Sequence, residues 1–114
     1  MLVAISIPIF TSQLEKSREA TDAANLRSAY AEVMTASLTQ ANDVPGVTRS
    51  GEKAGSYMYT ATVKATQTQD GWSNTSIEDV GGTPIKDIPA VLKGNSWIIT
   101  YTESTGKVEF KAAS

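Results

Sequence analysis

The stretch Met1–Ala41, MLVAISIPIFTSQLEKSREATDAANLRSAYAEVMTASLTQA, decides the fold of this chain. Its first ten residues are almost wholly apolar, and no charged residue occurs before Glu15. Further on, apolar residues recur at the three- and four-residue steps of one helix face. The first part of this helix is apolar on all sides and needs a helix bundle or lipid around it. The second part is apolar on one side and needs only a globular core. The pattern therefore indicates assembly or a membrane before it indicates chemistry.

The apolar run is interrupted by Pro8 and is short. An interior proline costs one backbone hydrogen bond and kinks or locally loosens a helix. Ten apolar residues are too few to cross a bilayer, which takes about 20. We therefore expect Met1–Phe10 to be the end of a longer apolar segment. The helix is predicted to end near Ala41, because the breakers of Asn42–Gly46 follow it.

Charged residues of both signs follow the apolar run. Glu15 and Arg18 are three residues apart, and Arg18 and Asp22 are four apart, so ion pairs along the helix are expected. We interpret them as solvated surface pairs, each worth a few tenths of a kcal/mol. The alternative is that these charges face neighbouring subunits of an assembly.

Beyond residue 46 the pattern changes to the two-residue period of strands. Tyr57–Ala65 alternates apolar and polar residues, and Trp97–Glu103 and Lys107–Lys111 form a predicted hairpin around Ser104–Gly106. We predict an α+β fold, with the long helix packed against a small antiparallel sheet of three or four strands. The chain is treated as one domain, in which residues 1–41 are the helix (1–10 apolar, 11–41 amphipathic) and 42–114 the head. The predicted helix–sheet core comprises Ala23, Leu26, Tyr30, Val33, Trp97, Ile99, Val108 and Phe110.

Composition excludes many classes of function. The 114 residues carry a net charge of −2 and lack the excess of basic residues that nucleic-acid binding requires. There is no cysteine and no histidine, which removes thiolate nucleophiles, the usual general base and the commonest ligands of transition metals. We expect no enzyme activity, no catalytic residue, no cofactor and no metal site.

The segment 67–95 is rich in Gly, Asp, Asn, Thr and Pro and is predicted to be mostly loop, with a short helical turn within Ile85–Leu92. Trp72 could stack on a sugar ring, whereas Trp97 is predicted to be core. Asn74 begins an Asn-Thr-Ser glycosylation triplet. Hard oxygen ligands could bind calcium, but their spacing fits no EF-hand, and solvated acidic loops are the favoured interpretation. The candidates are Asp70, Asn74, Glu78, Asp79 and Asp87.

The first third of the chain resembles a known family. The string LVAISIPIF, followed by TSQLEKSREATDAANLRSAYAEVM, is similar to the N-terminal helix of type IV pilins and pseudopilins. The resemblance implies an apolar helix with a proline at this place, continuing into an amphipathic half under a small antiparallel sheet. In lacking cysteine, the chain resembles the cysteine-poor pilins of Gram-positive bacteria.

Pilins begin with a basic leader, a cleavage site, a phenylalanine and a nearby glutamate, and these features do not precede the apolar run here. We therefore expect Met1 to fall partway through the apolar helix. Cleavage by a prepilin peptidase, N-methylation and subunit registration are accordingly assigned to no residue of this sequence.

The resemblance implies a structural subunit, a major or minor pilin, of a type IV pilus or related extracellular filament for adhesion, motility or DNA uptake. Its implied partners are copies of itself, minor pilins, and the prepilin peptidase and inner-membrane assembly machinery, with a membrane-anchored state before assembly. The alternatives are a pseudopilin of a secretion or competence system and, from another class, a carbohydrate- or surface-binding adhesive module. The residues expected to pack helices in the filament are Leu2, Val3, Ile5, Ile7, Pro8, Ile9 and Phe10.

Overall fold

One long helix packs on a four-stranded antiparallel sheet, an α+β fold. The computed structural model describes residues 2–69, 71–72, 77 and 79–113, and for residues 2–12 only the helical backbone. The elements are α1 (Leu2–Thr39), β1 (Val47–Ser50), β2 (Met58–Lys64), a 3-10 turn (Ile85–Asp87), β3 (Ser96–Thr102) and β4 (Lys107–Ala113).

Helix α1 is continuous through Pro8 for 38 residues, so the local loosening predicted at this proline does not interrupt it. At 1.5 Å per residue its length is about 57 Å, and the described chain extends 65 Å along its longest axis. The helix ends two residues before the predicted Ala41. Gln40 has a φ of 52°, and the N–H of Ala41 reaches the carbonyl of Ala36 at 3.0 Å. This is a Schellman ending, in which glutamine occupies the left-handed position that usually belongs to glycine.

The strands follow one another in the order β1-β2-β3-β4. Strand β2 and the hairpin β3–β4 lie where the alternation predicted them, shifted by one or two residues at their ends. Four residues connect the hairpin, with Gly106 at a φ of 68°. Strand β1 was not predicted, because its four residues, VTRS, contain a single large apolar side chain and follow directly on the Pro-Gly break.

The core lies between one face of α1 and the sheet. Ala23, Leu26, Val33, Trp97 and Ile99 are fully buried, as expected of core residues. Three other predicted members are only partly buried and pack against this cluster: Tyr30, Val108 and Phe110. The loop contributes further buried residues that were not predicted to belong to the core: Val80, Ile88 and Val91.

Tyr30 joins the helix to the loop through a close approach to the Val80–Thr83 turn. A Cβ placed on Gly81 would lie 2.3 to 2.6 Å from the carbons of the Tyr30 ring. Gly81 also has a positive φ of 56°. The ring therefore occupies the space that any side chain at position 81 would need.

Candidate functional site

The sheet-facing side of α1 buries three carboxylates, and this overturns the interpretation of the helix charges as solvated pairs. Glu15, Glu19 and Asp22 are 2%, 1% and 0% exposed. Arg18 does approach Glu15, with 3.4 Å between Nη1 and Oε1. Buried carboxylates are tolerated only where hydrogen bonds replace water. Their partners therefore decide what this part of the helix does.

The partners of two of these carboxylates come from the segment that follows β2. Thr66 donates its N–H and its hydroxyl to Asp22, and the N–H of Gln67 also reaches Asp22 at 3.1 Å. Two turns earlier on the helix, Thr68 donates its N–H and its hydroxyl to Glu15, at 3.1 and 2.7 Å. The chain leaving β2 is thus fastened along the helix by two carboxylates through alternate threonines.

This arrangement sets the protonation of Glu15. Burial raises the pKa of Glu15, but the hydrogen bonds from Thr68, Gln69 and Arg18 stabilise the ionised form and together hold the pKa below its usual range. The carboxylate therefore acts as an ionised hydrogen-bond acceptor at neutral pH. It is a structural anchor between the helix and the 66–69 segment.

A second anchor joins the end of the helix to the sheet. The carboxylate of Glu103 accepts hydrogen bonds from Gln40 Nε2 at 3.0 Å and from the N–H groups of Gly55 and Tyr57 at 2.9 and 3.1 Å. These hydrogen bonds hold the pKa of Glu103 below its usual range. Arg49 completes the junction by donating to the carbonyl of Gln40 at 2.6 Å.

The opposite side of α1 is uncovered by the described part of the head. It carries exposed residues at alternating steps of four and three along the helix, a set that we call the outer stripe. All but the last are small, and the sheet-facing carboxylates lie on the other side of the helix. The outer stripe consists of Ser17, Thr21, Ala24, Ser28, Ala31, Thr35 and Leu38.

Leu38 at the end of the outer stripe is 83% exposed, and Leu14, one step before its start, is 39% exposed. The same steps lead back through the sequence to positions 10, 7 and 3, which hold Phe, Ile and Val. Small residues at such spacing let the backbones of two helices approach closely. The outer stripe is therefore suited to helix–helix contact, and it was not predicted from the sequence.

The predicted filament residues Leu2, Val3, Ile5, Ile7, Pro8, Ile9 and Phe10 all lie in the helical backbone of α1, but their side chains are outside the described residues. Within the described part of the chain, no helix combines the length and the apolar character needed to cross a membrane.

The two tryptophans of the head form a pair. Their ring centroids are 5.9 Å apart and their planes differ by 20°. Trp72 Nε1 donates to the carbonyl of Ile88 at 2.8 Å, and Trp97 Nε1 donates to that of Pro89 at 2.6 Å. Trp72 thus has one face stacked on Trp97 and its polar atom occupied, and it fastens the loop to the core.

Only two of the five candidate calcium ligands lie among the described residues. Asp70, Asn74 and Glu78, and with them the glycosylation triplet, lie outside the described residues. Asp79 and Asp87 are described and exposed. Among the residues that the structure describes, no group of three or more acidic side chains is placed to hold a metal ion.

No family, curated protein or solved structure matches this chain. The candidate site therefore rests on its own geometry. It consists of the outer stripe and the apolar start of α1. The two carboxylate anchors hold the head on the other side of the helix and at its end. Both anchors depend on sequence separations of 44 to 63 residues, which local patterns do not report. The outer stripe could have been recognised from its spacing in the sequence. It was missed because most of its residues are small or polar, whereas the periodicity was read from large apolar residues.

Proposed function

We propose that this chain is a structural subunit, a major or minor pilin, of a type IV pilus or related extracellular filament. One observation carries the proposal. A helix of about 57 Å packs against the sheet along one side of its second half, while its other side presents the outer stripe. The head thus covers one side of the helix and leaves the other available for neighbouring subunits.

The outer stripe supports helix–helix packing through its size and its period. Steps of three and four residues, averaging 3.5, keep one seam of a helix facing a partner helix. Small residues along such a seam allow a short interhelical distance and extensive van der Waals contact. In the proposed filament the seam continues into the apolar residues 2–10, and adhesion, motility or DNA uptake would be performed by the assembled fibre.

The two anchors support the same proposal because they attach the head firmly to the helix. In the proposed filament, a pulling force on the fibre would pass between the helix and the head of each subunit. Glu15 and Asp22 bind the head to the middle of the helix, and Glu103 binds it to Gln40, directly after the helix end. Charge-assisted hydrogen bonds are about twice as strong as neutral ones. The head is therefore fastened at two separated places along α1.

The first experiment is intact-mass analysis and N-terminal sequencing of the protein from its native cells, comparing sheared surface material with membranes. A processed, N-methylated chain in the sheared fraction is expected. The same processed chain confined to membranes would indicate a pseudopilin. An unprocessed chain that begins at Met1 and remains in the cytosol would contradict the proposal.

The packing surfaces are tested by substitutions in the full-length protein, with filaments counted by electron microscopy of sheared material. Ile7→Asp and Phe10→Asp are expected to abolish filaments and to leave the head folded. Ala24→Phe, which adds bulk to the outer stripe, is expected to reduce filament number at least 10-fold. Asn25→Phe is the matched control, because it adds the same ring at the next exposed position, off the outer stripe. Normal filaments from Ala24→Phe and Phe10→Asp would exclude this packing.

A further inference from the structure

The sheet has an uncovered edge beside the helix. Strand β1 pairs with β2 only from Met58 to Ala61, whereas β3 pairs with all seven residues of β2. The last three residues of β2, Thr62–Lys64, therefore have no strand neighbour on the β1 side among the described residues. An unpaired stretch of strand presents N–H and C=O groups that can accept another strand.

The direction of the main-chain groups can be read from the ends of β2. The carbonyl of Tyr57 accepts from Glu103, and the N–H of Ala65 donates to Asn95, so the groups of both residues face β3. Direction alternates along a strand. The main-chain groups of the even-numbered residues Thr62 and Lys64 therefore face the uncovered edge. Among the described hydrogen bonds outside the strands, none uses them.

A groove of about 340 Å³ runs along this edge between β2 and the helix. Its floor is made by Ala29, Ala61 and Val63, and its helix wall by the exposed residues Asn25, Ser28 and Glu32. The apolar floor is built from small side chains. A chain laid along the edge would therefore find room for small side chains on its helix-facing side.

The charged residues of the groove give it further selectivity. Lys64 is exposed and, like Thr62, points away from the buried face that Ala61 and Val63 occupy. Opposite charges on neighbouring strands stabilise pairing. A Cβ on Gly46 would lie 3.3 Å from Glu32 Oε2, so glycine at this position leaves space beside the carboxylate.

We propose that Thr62–Lys64 and the adjoining groove bind an extended segment of another polypeptide as a short added strand. The segment carries small residues on the side facing Ala29 and an acidic residue opposite Lys64. Its main chain bonds to the N–H and C=O groups of Thr62 and Lys64, in the manner of β-strand addition. Neither outer strand of this sheet matches such a segment: β4 carries Val108 and Phe110 on its core-facing side, and β1 (Val47–Ser50) has no acidic residue.

The test uses the 15N-labelled 114-residue chain and the blocked peptide Thr-Ala-Glu-Ala-Thr. Four main-chain groups and one exposed charge pair support weak binding, with a Kd on the order of 1 mM. At about 5 mM peptide, the amide protons of Thr62 and Lys64 are expected to exchange at least 3-fold more slowly with solvent. Amides of β4 should be unchanged.

Two variants separate the parts of the site. With Lys64→Glu, the preference should reverse, so that Thr-Ala-Lys-Ala-Thr binds about 3- to 10-fold more tightly than the glutamate peptide. A reversal of preference cannot arise from unfolding. Asn25→Phe should block the groove and weaken binding at least 5-fold, while Ala24→Phe on the outer stripe should leave it unchanged.

Three results would overturn the proposal. The first is unchanged exchange at Thr62 and Lys64 with both peptides, and the second is equal protection along β4. The third is protection that rises with the concentration of the protein alone, which would identify a second copy as the occupant. Peptide binding is measured on the isolated chain and filament formation on sheared material from cells, where Ala24→Phe tests it, so the two proposals can fail independently.

Discussion

Thr66 gives both its main-chain N–H and its hydroxyl to the carboxylate of Asp22, at 3.0 and 2.8 Å. Asp22 is fully buried in the middle of α1, and Thr66 lies 44 residues later, just after β2. The pair therefore joins the middle of the helix to the segment that leaves the sheet after β2. Thr68 and Glu15 repeat the arrangement two helical turns away.

Replacing Asp22 by asparagine should destabilise the protein. Asp22 accepts three different donors, two from Thr66 and one from Gln67. Asparagine keeps one acceptor oxygen and turns an amide NH2 toward the remaining donors. We expect Asp22→Asn to lower the free energy of unfolding by about 2 to 4 kcal/mol, measured by chemical denaturation at pH 7.

Asp43→Asn provides the control for this substitution, because Asp43 is exposed in the connection after the helix. It should change the free energy of unfolding by less than about 0.5 kcal/mol. An equal effect of the two substitutions would mean that the buried hydrogen bonds of Asp22 contribute little.

Stability should fall with acid in a way that depends on Glu15. The folded-state pKa of Glu15 lies below its ordinary value of 4.5. A lowered folded pKa adds stability that is fully present above the unfolded pKa and is lost as the pH falls through the folded value. Glu15→Gln should therefore be less stable than the wild type at pH 7, and this difference should shrink below pH 4.5. Denaturation at several pH values measures it, and a difference independent of pH would contradict the prediction.

The contact of Tyr30 with the 80–83 turn can be tested at two neighbouring glycines. Gly81→Ala would place a methyl group 2.3 Å from the Tyr30 ring, and we expect a loss of about 2 to 4 kcal/mol in the free energy of unfolding. Gly82→Ala has open space around its Cβ at a φ of +85°, so only the backbone cost of about 1 kcal/mol is expected. Equal losses would show that the ring does not limit position 81.

Tyr59→Phe should be neutral or stabilising. The ring of Tyr59 is fully buried, and its hydroxyl is buried without a hydrogen-bond partner in the described structure. Burial raises the pKa of this hydroxyl, as expected for a phenol removed from water. Deleting an unpaired buried polar group removes its desolvation cost, so we expect a gain of up to about 1 kcal/mol in thermal or chemical denaturation. A loss of about 2 kcal/mol or more would reveal a partner for the hydroxyl.

The tryptophan pair should be energetically coupled. Stacked aromatic rings contribute about 0.5 to 1.5 kcal/mol beyond the area they bury. A double-mutant cycle with Trp72→Leu and Trp97→Leu, each of which removes one aromatic ring, should give a coupling energy of about 1 kcal/mol, together with a loss of near-ultraviolet circular dichroism in each single variant. Strict additivity of the two substitutions would show that the rings contribute independently.

Local periodicity predicted the helix, β2 and the hairpin, because each has a repeat that its own residues define. The alternation of Tyr57–Ala65 and the Gly106 turn needed no distant contact to be recognised. Strand β1 was missed because its four residues are a strand only by pairing with β2. The charges at Glu15 and Asp22 were misread for the same reason: their donors come from residues 44 to 54 positions away.

The sequence by itself determined a long helix with an apolar start and a sheet-covered face, since the spacing of apolar residues decides which side of a helix leaves water. Only the tertiary structure decided that carboxylates belong to that buried face. A carboxylate is buried when particular N–H and hydroxyl donors replace its water, and those of Thr66 and Thr68 reach Asp22 and Glu15 only once the chain has folded back along the helix.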